Sequence, residues 1–235
     1  MSLSTLIKNS YIIRIYECKK KVIKQGGMIM AGGFLGRVAS DTLGLSDIGK
    51  IISPQDFDKV DGDDFILQED GERIFCVIKS KTDEYVFTNY GLLHVDGKSA
   101  LEKKRLVKRY EFKHCLVSHV MIETAGTIDL DIELKFTIGD QNMSIDVDKN
   151  QMMQLKPIYK SLIEVGRMQA HNNELFEDGY KGLQMANEDL ARNKIQGDIS
   201  EIIEKLTNFN LDWMEALRKE YQIRDYSAAY EKYLK

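Results

Sequence analysis

Between residues 128 and 138 every second side chain is apolar: Ile128, Leu130, Ile132, Leu134, Phe136 and Ile138 alternate with Asp129, Asp131, Glu133, Lys135 and Thr137. Successive side chains of an extended chain point to opposite faces, so this run is satisfied by a strand with one dry and one wet side. After Gly139 and Asp140 the pattern resumes, with Met143, Ile145 and Val147 on the apolar side and Ser144, Asp146 and Asp148 on the polar side. That is the pattern of an antiparallel hairpin. A helical stripe follows at once, formed by Met152, Leu155, Tyr159, Leu162 and Val165, with Asn150 as its expected cap. Pro157 either kinks this helix or marks its first turn.

Upstream, strands are expected at 64–68, 73–79, 84–88, 92–95, 106–112 and 117–123. Asp70-Gly71, Asn89-Tyr90-Gly91 and Asp96-Gly97 supply turns between several of them. A short helix is expected over 34–45, ended by Gly44. Short strands at regular spacing closed by one amphipathic helix predict an α+β chain: a small antiparallel barrel or sandwich, followed by a helical region. Within that region residues 171–182 read as loose and 183–195 as weakly helical. A strong helix then begins at the capping pair Asp198 and Glu201 and carries Ile199, Ile202, Ile203, Leu206, Phe209, Trp213 and Leu217. A last short helix carries Tyr226, Tyr230 and Tyr233. These stripes are too few to enclose a core, so they must be covered by the barrel or by another chain.

The formal charge of −4 conceals an uneven distribution. Before Met28 six basic residues face Glu17 alone, about +5, which leaves about −9 for the remainder. An acidic body argues against nucleic-acid binding. Three cysteines, Cys18, Cys76 and Cys115, are an odd number with no close pair, as expected of a cytoplasmic protein. The sequence contains neither a signal peptide nor an apolar run of the roughly 20 residues that a membrane span needs. Residues 1–29 read as a translated leader or cloning extension, because the codons of Gly26 and Gly27 can spell a ribosome-binding sequence just before Met30. The competing reading is a basic amphipathic arm. The expected division is therefore 1–29, a barrel domain at 30–166 and a helical region at 167–235.

No motif carries recognisable chemistry. His114, Cys115 and His119 lack the partners of a zinc site. Asp56, Asp58, Asp61, Asp63 and Asp64 lack the spacing of a calcium loop. Asp129, Asp131 and Glu133 line a wet strand face, and Gly32, Gly33 and Gly36 have neither a preceding strand nor a phosphate-loop lysine. Lys98, Lys103, Lys104, Arg105, Lys108, Arg109 and Lys113 form the densest basic cluster. Its favoured reading is a strand edge guarded by charge, and its functional reading is a site for anions, centred on Lys103, Lys104, Arg105, Lys108 and Arg109.

The runs Ser40-Asp41-Thr42-Leu43-Gly44-Leu45-Ser46-Asp47-Ile48-Gly49-Lys50-Ile51-Ile52, Tyr85-Val86-Phe87-Thr88-Asn89 and Glu123-Thr124-Ala125-Gly126-Thr127-Ile128-Asp129-Leu130-Asp131 resemble the YvbH-like bacterial pleckstrin-homology (PH) proteins. The resemblance spans about 30–165, and the remainder is similar to the YvbH-like oligomerisation region; residues before Met28 have no counterpart. It implies a partly open barrel of two near-orthogonal sheets capped by a helix, with assembly into oligomers. It implies no enzymatic activity, cofactor or metal. The expectation is a non-enzymatic scaffold or binding module for a protein or peptide, self-associating through Ile202, Leu206, Phe209, Trp213 and Leu217. The alternative is a peripheral membrane module that holds anionic lipid headgroups through residues 98–113.

Overall fold

A computed structural model describes residues 47–97, 106–124, 131–193 and 197–234. The chain divides into two compact units: the first contains the described residues up to Gly166 together with 224–234, and the second is Arg167–Ile223. Several expectations concern residues outside those described: the leader, the glycines Gly32, Gly33 and Gly36, the helix at 34–45, the start of the alternating strand at 128–130, the basic residues Lys98, Lys103, Lys104 and Arg105, and the end of the weak helix at 194–195.

Two antiparallel sheets build the first unit. One has five strands in chain order: β1 (Lys50–Ile51), β2 (Ile74–Lys79), β3 (Asp83–Thr88), β4 (Gly91–Asp96) and β5 (Leu106–Glu111). The other has three: β6 (Val117–Thr124), β7 (Asp131–Ile138) and β8 (Gln141–Asp148). The β7–β8 register is the one that the alternation demands, with Ile132 opposite Val147, Leu134 opposite Ile145 and Phe136 opposite Met143. All six side chains are buried. Gly139 makes the turn at φ +62, where glycine carries no steric penalty. Across the core the ring of Phe136 lies 6.2 Å from that of Phe87 on β3.

The sheets join at one corner. Gly49 precedes the two-residue β1, and its amide donates to the Asp146 carbonyl at 3.0 Å while its own carbonyl accepts from the Asp148 amide at 2.9 Å. A Cβ at this position would lie 2.6 Å from the Asp146 oxygen and 2.9 Å from Ile78 Cγ2, so only glycine permits the approach. Among the described residues β5 and β6 share no ladder, which leaves the barrel open along that seam.

The strand expected at 64–68 does not form. Residues 54–70 instead make three short 3-10 helices, Pro54–Lys59, Asp61–Phe65 and Gln68–Asp70. Their aspartates favour turns over ladders. Only Ile66 of the expected strand is buried, beside Val60, Val77, Val86 and Leu93, while Phe65 and Leu67 stay exposed. One inward side chain needs no strand. Two buried carboxylates hold this segment against the sheet. Glu84 accepts from the amides of Asp61 (3.2 Å) and Gly62 (2.9 Å) and pairs with Lys79. Glu72 accepts from the Leu67 amide (2.8 Å), the Thr88 hydroxyl (2.7 Å) and the Arg109 guanidinium (2.7 and 2.9 Å). Burial alone would raise the Glu72 pKa, but Arg109 and the other donors outweigh it and hold the carboxyl below its usual range.

The capping helix α1 runs over Met152–Arg192. Leu155, Ile158, Leu162 and Val165 are buried, so Ile158 takes the place expected for the half-buried Tyr159. The residue that caps the preceding turn is Asp148, which accepts from the Asn150 amide at 2.9 Å, rather than Asn150 itself. Pro157 lies inside the helix, where it removes one hydrogen bond without ending it. Residues 171–182, read as loose, are helical: once a helix is nucleated each further residue adds a bond, and a glycine costs only about 1 kcal/mol.

The first unit is completed by 224–234, which includes the short helix α3 (Ser227–Glu231). Tyr226 and Tyr230 are buried, the latter stacked on Phe75 at 4.8 Å and the former edge-on to Phe112 at 5.7 Å. Among the described residues no helix is long and apolar enough to cross a membrane.

Three variants check this architecture. Phe136→Asp is expected to unfold the barrel, because an unpartnered buried charge costs several kcal/mol against a total stability of about 5–15; Asp131→Asn on the wet face leaves the urea midpoint unchanged. Arg109→Met strands the Glu72 charge and costs about 3–5 kcal/mol near neutral pH. In the parent, the depressed Glu72 pKa makes this pair's contribution fade as pH falls through the acidic range, whereas the variant regains stability on acidification as Glu72 protonates. Urea titrations at several pH values separate the two slopes. Tyr230→Ala empties a filled core position and is expected to lower the unfolding free energy by about 3–5 kcal/mol.

Candidate functional site

In the second unit, residues 167–192 of α1 and the helix α2 (Ile199–Tyr221) form a hairpin. Asp198 caps α2 as expected, accepting from the Ser200 amide at 2.8 Å, while Glu201 pairs with Lys205 at 2.6 Å instead of closing a capping box. A Cβ on Gly179 would sit 2.4 Å from Leu217 Cδ2, and Trp213 Nε1 donates to the Gly179 carbonyl at 3.2 Å. The missing side chain of Gly179 thus leaves room for Leu217 and brings its carbonyl within reach of Trp213.

The hairpin buries little of its apolar surface. Among its described residues Leu183 and Leu217 are the buried large apolar side chains, whereas Met185, Leu190, Ile199, Ile203, Phe209, Leu211 and Trp213 are exposed. Of the expected association stripe, Leu217 is buried inside the hairpin and Ile202 and Leu206 are half-buried. Phe209 and Trp213 are 52% and 41% exposed, their rings 5.9 Å apart. Leu211, Met185 and Leu190 belong to the same exposed set and were missed, because they lie off the stripe or on the other helix. Two helices laid side by side cover only the strip where they touch, and a surface this apolar calls for a further partner.

Of the described members of the basic cluster, Lys108 and Arg109 are engaged with acidic neighbours, while Lys113 is exposed. Lys108 Nζ donates to Asp96 at 3.2 Å, and Arg109 joins Glu72 while also donating to the Phe65 carbonyl at 2.6 Å. Both residues lie on β5, an edge strand. His114 stands 3.7 Å from Glu111 and Cys115 is buried. His119 adopts φ +51 in an irregular stretch of β6, its ring nitrogen 3.0 Å from Ser118 Oγ. Among the described residues no three His, Cys, Asp or Glu side chains are grouped to hold a metal ion. Glu133 is held below the usual carboxylate range by hydrogen bonds from Lys135 and Ser144, as befits a wet face laced with ion pairs.

A polar cleft of about 210 Å³ opens beside the sheet junction, lined by Asp47, Gly49, Ser80, Asp83, Tyr85, Ser144 and Asp146 among others. His94 bonds Asp83 at 2.9 Å and holds its carboxyl below the usual range. Burial, then Asp83 and Asp96, pushes the Tyr85 phenol up to about 12. Burial, followed by repulsion from Asp131 and Glu133, raises Asp146. The cleft therefore presents mostly acceptors, suited to cationic or hydroxylated groups.

A family model for the bacterial PH domain matches residues 42–165, starting later than the 30 expected from sequence, and one for the YvbH-like oligomerisation region matches 179–235. The chain is 42% identical over 199 residues to the uncharacterized protein YvbH of Bacillus subtilis (strain 168), across 84% of this chain and 98% of that one. It is also similar to the crystal structure of a PH-domain-containing bacterial protein from Exiguobacterium sibiricum 255-15, with a TM-score of 0.74 and 41% identity, over 80% of this chain and 100% of the other. The first match coincides with the two sheets and the start of the capping helix, and the second with most of the hairpin and the closing segment. The chain belongs to the bacterial PH domain family and carries a YvbH-like oligomerisation region.

Proposed function

We propose that this protein is a non-enzymatic cytoplasmic scaffold in which the helical hairpin joins copies of the chain and each PH-like barrel holds a protein or peptide. The observation that carries the reading is the imbalance in the hairpin, seven exposed large apolar side chains against two buried, within the segment that matches an oligomerisation region. Burying such side chains between copies stabilises association by roughly 1.5–3 kcal/mol each. A second copy is the natural cover, since every copy brings the same unsatisfied surface.

Ile203→Glu combined with Phe209→Glu is expected to weaken association about 100-fold or more while leaving the barrel folded, because both side chains are exposed within one chain. Light scattering across a dilution series reads the mass, and circular dichroism reads the strands. A well-defined oligomer of unchanged mass would mean that another surface carries the assembly and would remove this proposal.

A further inference from the structure

The segment 224–234 sits in a built receptor rather than merely lying on a surface. Phe75 and Phe112 receive Tyr230 and Tyr226. Asn89 fixes the entry, its carbonyl accepting from the Tyr226 amide at 2.9 Å and its Nδ2 donating to Asp225 at 3.0 Å. Ion pairs close both ends: Arg224 reaches Asp70 at 3.4 Å and lies 4.1 Å over the Tyr90 ring, while Glu231 pairs with Arg73 and Lys232 with Glu164 at 2.7 Å. Aromatic anchors of fixed spacing, a main-chain bond and charges at each end set the direction and register of the bound segment.

Two features separate the segment from the receptor that orders it. Its helix spans only five residues, too few to persist alone, so its conformation derives from the barrel. It is also connected to the barrel only through the whole second unit, Arg167–Ile223, whose helices expose Ile203, Phe209 and Trp213. Moreover, the match to the oligomerisation region continues to residue 235, so the clasp belongs to the part of the chain associated with assembly although its receptor lies on the barrel.

We propose that in the assembled protein the receptor around Phe75 and Phe112 is filled by the C-terminal segment of a second copy. The inference rests on the self-association proposed above. Exchange forfeits no contact, because every copy carries the same receptor and the same segment. Once hairpins associate, a neighbour's segment is held at high local concentration beside the receptor, so docking adds to the assembly without new surface.

Arg73 and Glu231 form the probe, since both side chains are 56% exposed and tolerate replacement. Arg73→Cys and Glu231→Cys are placed on separate chains in a Cys18→Ser background, the thiols of Cys76 and Cys115 being buried. The two chains are co-expressed, treated with a short bismaleimide and denatured. Exchange is expected to give a covalent species of twice the single-chain mass, several-fold enriched over either variant alone. With both substitutions on one chain it is expected to give a ladder of linked chains. An internally linked single chain in the double variant, with no enrichment in the co-expressed pair, overturns the exchange. If light scattering of the parent shows an oligomer alongside that result, self-association survives; a parent of single-chain mass overturns both.

Discussion

The two sheets of unequal width are tied at a corner by main-chain bonds of Gly49. Its two main-chain bonds to β8 bring the short β1 against the three-stranded sheet at a separation that a Cβ would prevent. The rest follows from that junction. It sets β3 and β7 face to face, so that Phe87 and Phe136 meet, and the four apolar residues of α1 are buried over the same core. Gln151 reinforces it, accepting from the Ile51 amide at 2.7 Å and donating to the Ile51 carbonyl at 3.0 Å, which ties the start of the cap to β1.

The polar interior orders what the apolar core leaves undetermined. Hydrophobic burial has no direction, and the 3-10 segment over the five-stranded sheet contributes few inward side chains. Its path is set by Glu84 and Glu72, each a buried carboxylate that accepts main-chain amides from the segment and is neutralised by a cation from the sheet. Arg109 is the instructive member. On a list of basic residues it looks like part of an anion site, yet in the barrel its guanidinium serves Glu72 and the Phe65 carbonyl.

The second unit contrasts with the first. The barrel buries a large apolar core between its sheets, whereas the hairpin, with two helices, fully buries only Leu183 and Leu217 of its described large apolar side chains. The closing segment shows the complementary economy: too short for a core of its own, it borrows one from the barrel through two tyrosines.

The sequence by itself determined whatever depends on local period and turn chemistry. The 128–147 alternation specified β7 and β8, their register and their buried faces, because a one-residue slip would turn every apolar side chain to water. The Asp198 cap was legible from local spacing, and so was the stripe of α1 except where Ile158 rather than Tyr159 faces inward. What only the tertiary structure decided depends on partners distant in sequence. Nothing near Gly49 announces that residue 146 will approach it, and residues 64–68 lost their strand to carboxylates at 72 and 84. Residues 171–182 read as loose until Leu217 is placed against Gly179. The tyrosines at 226 and 230 declare a need for burial, but that the barrel meets it follows from the aromatic floor of Phe75 and Phe112, assembled from two different strand ends. A periodic pattern shows that a face must be covered; only folding supplies the surface that covers it.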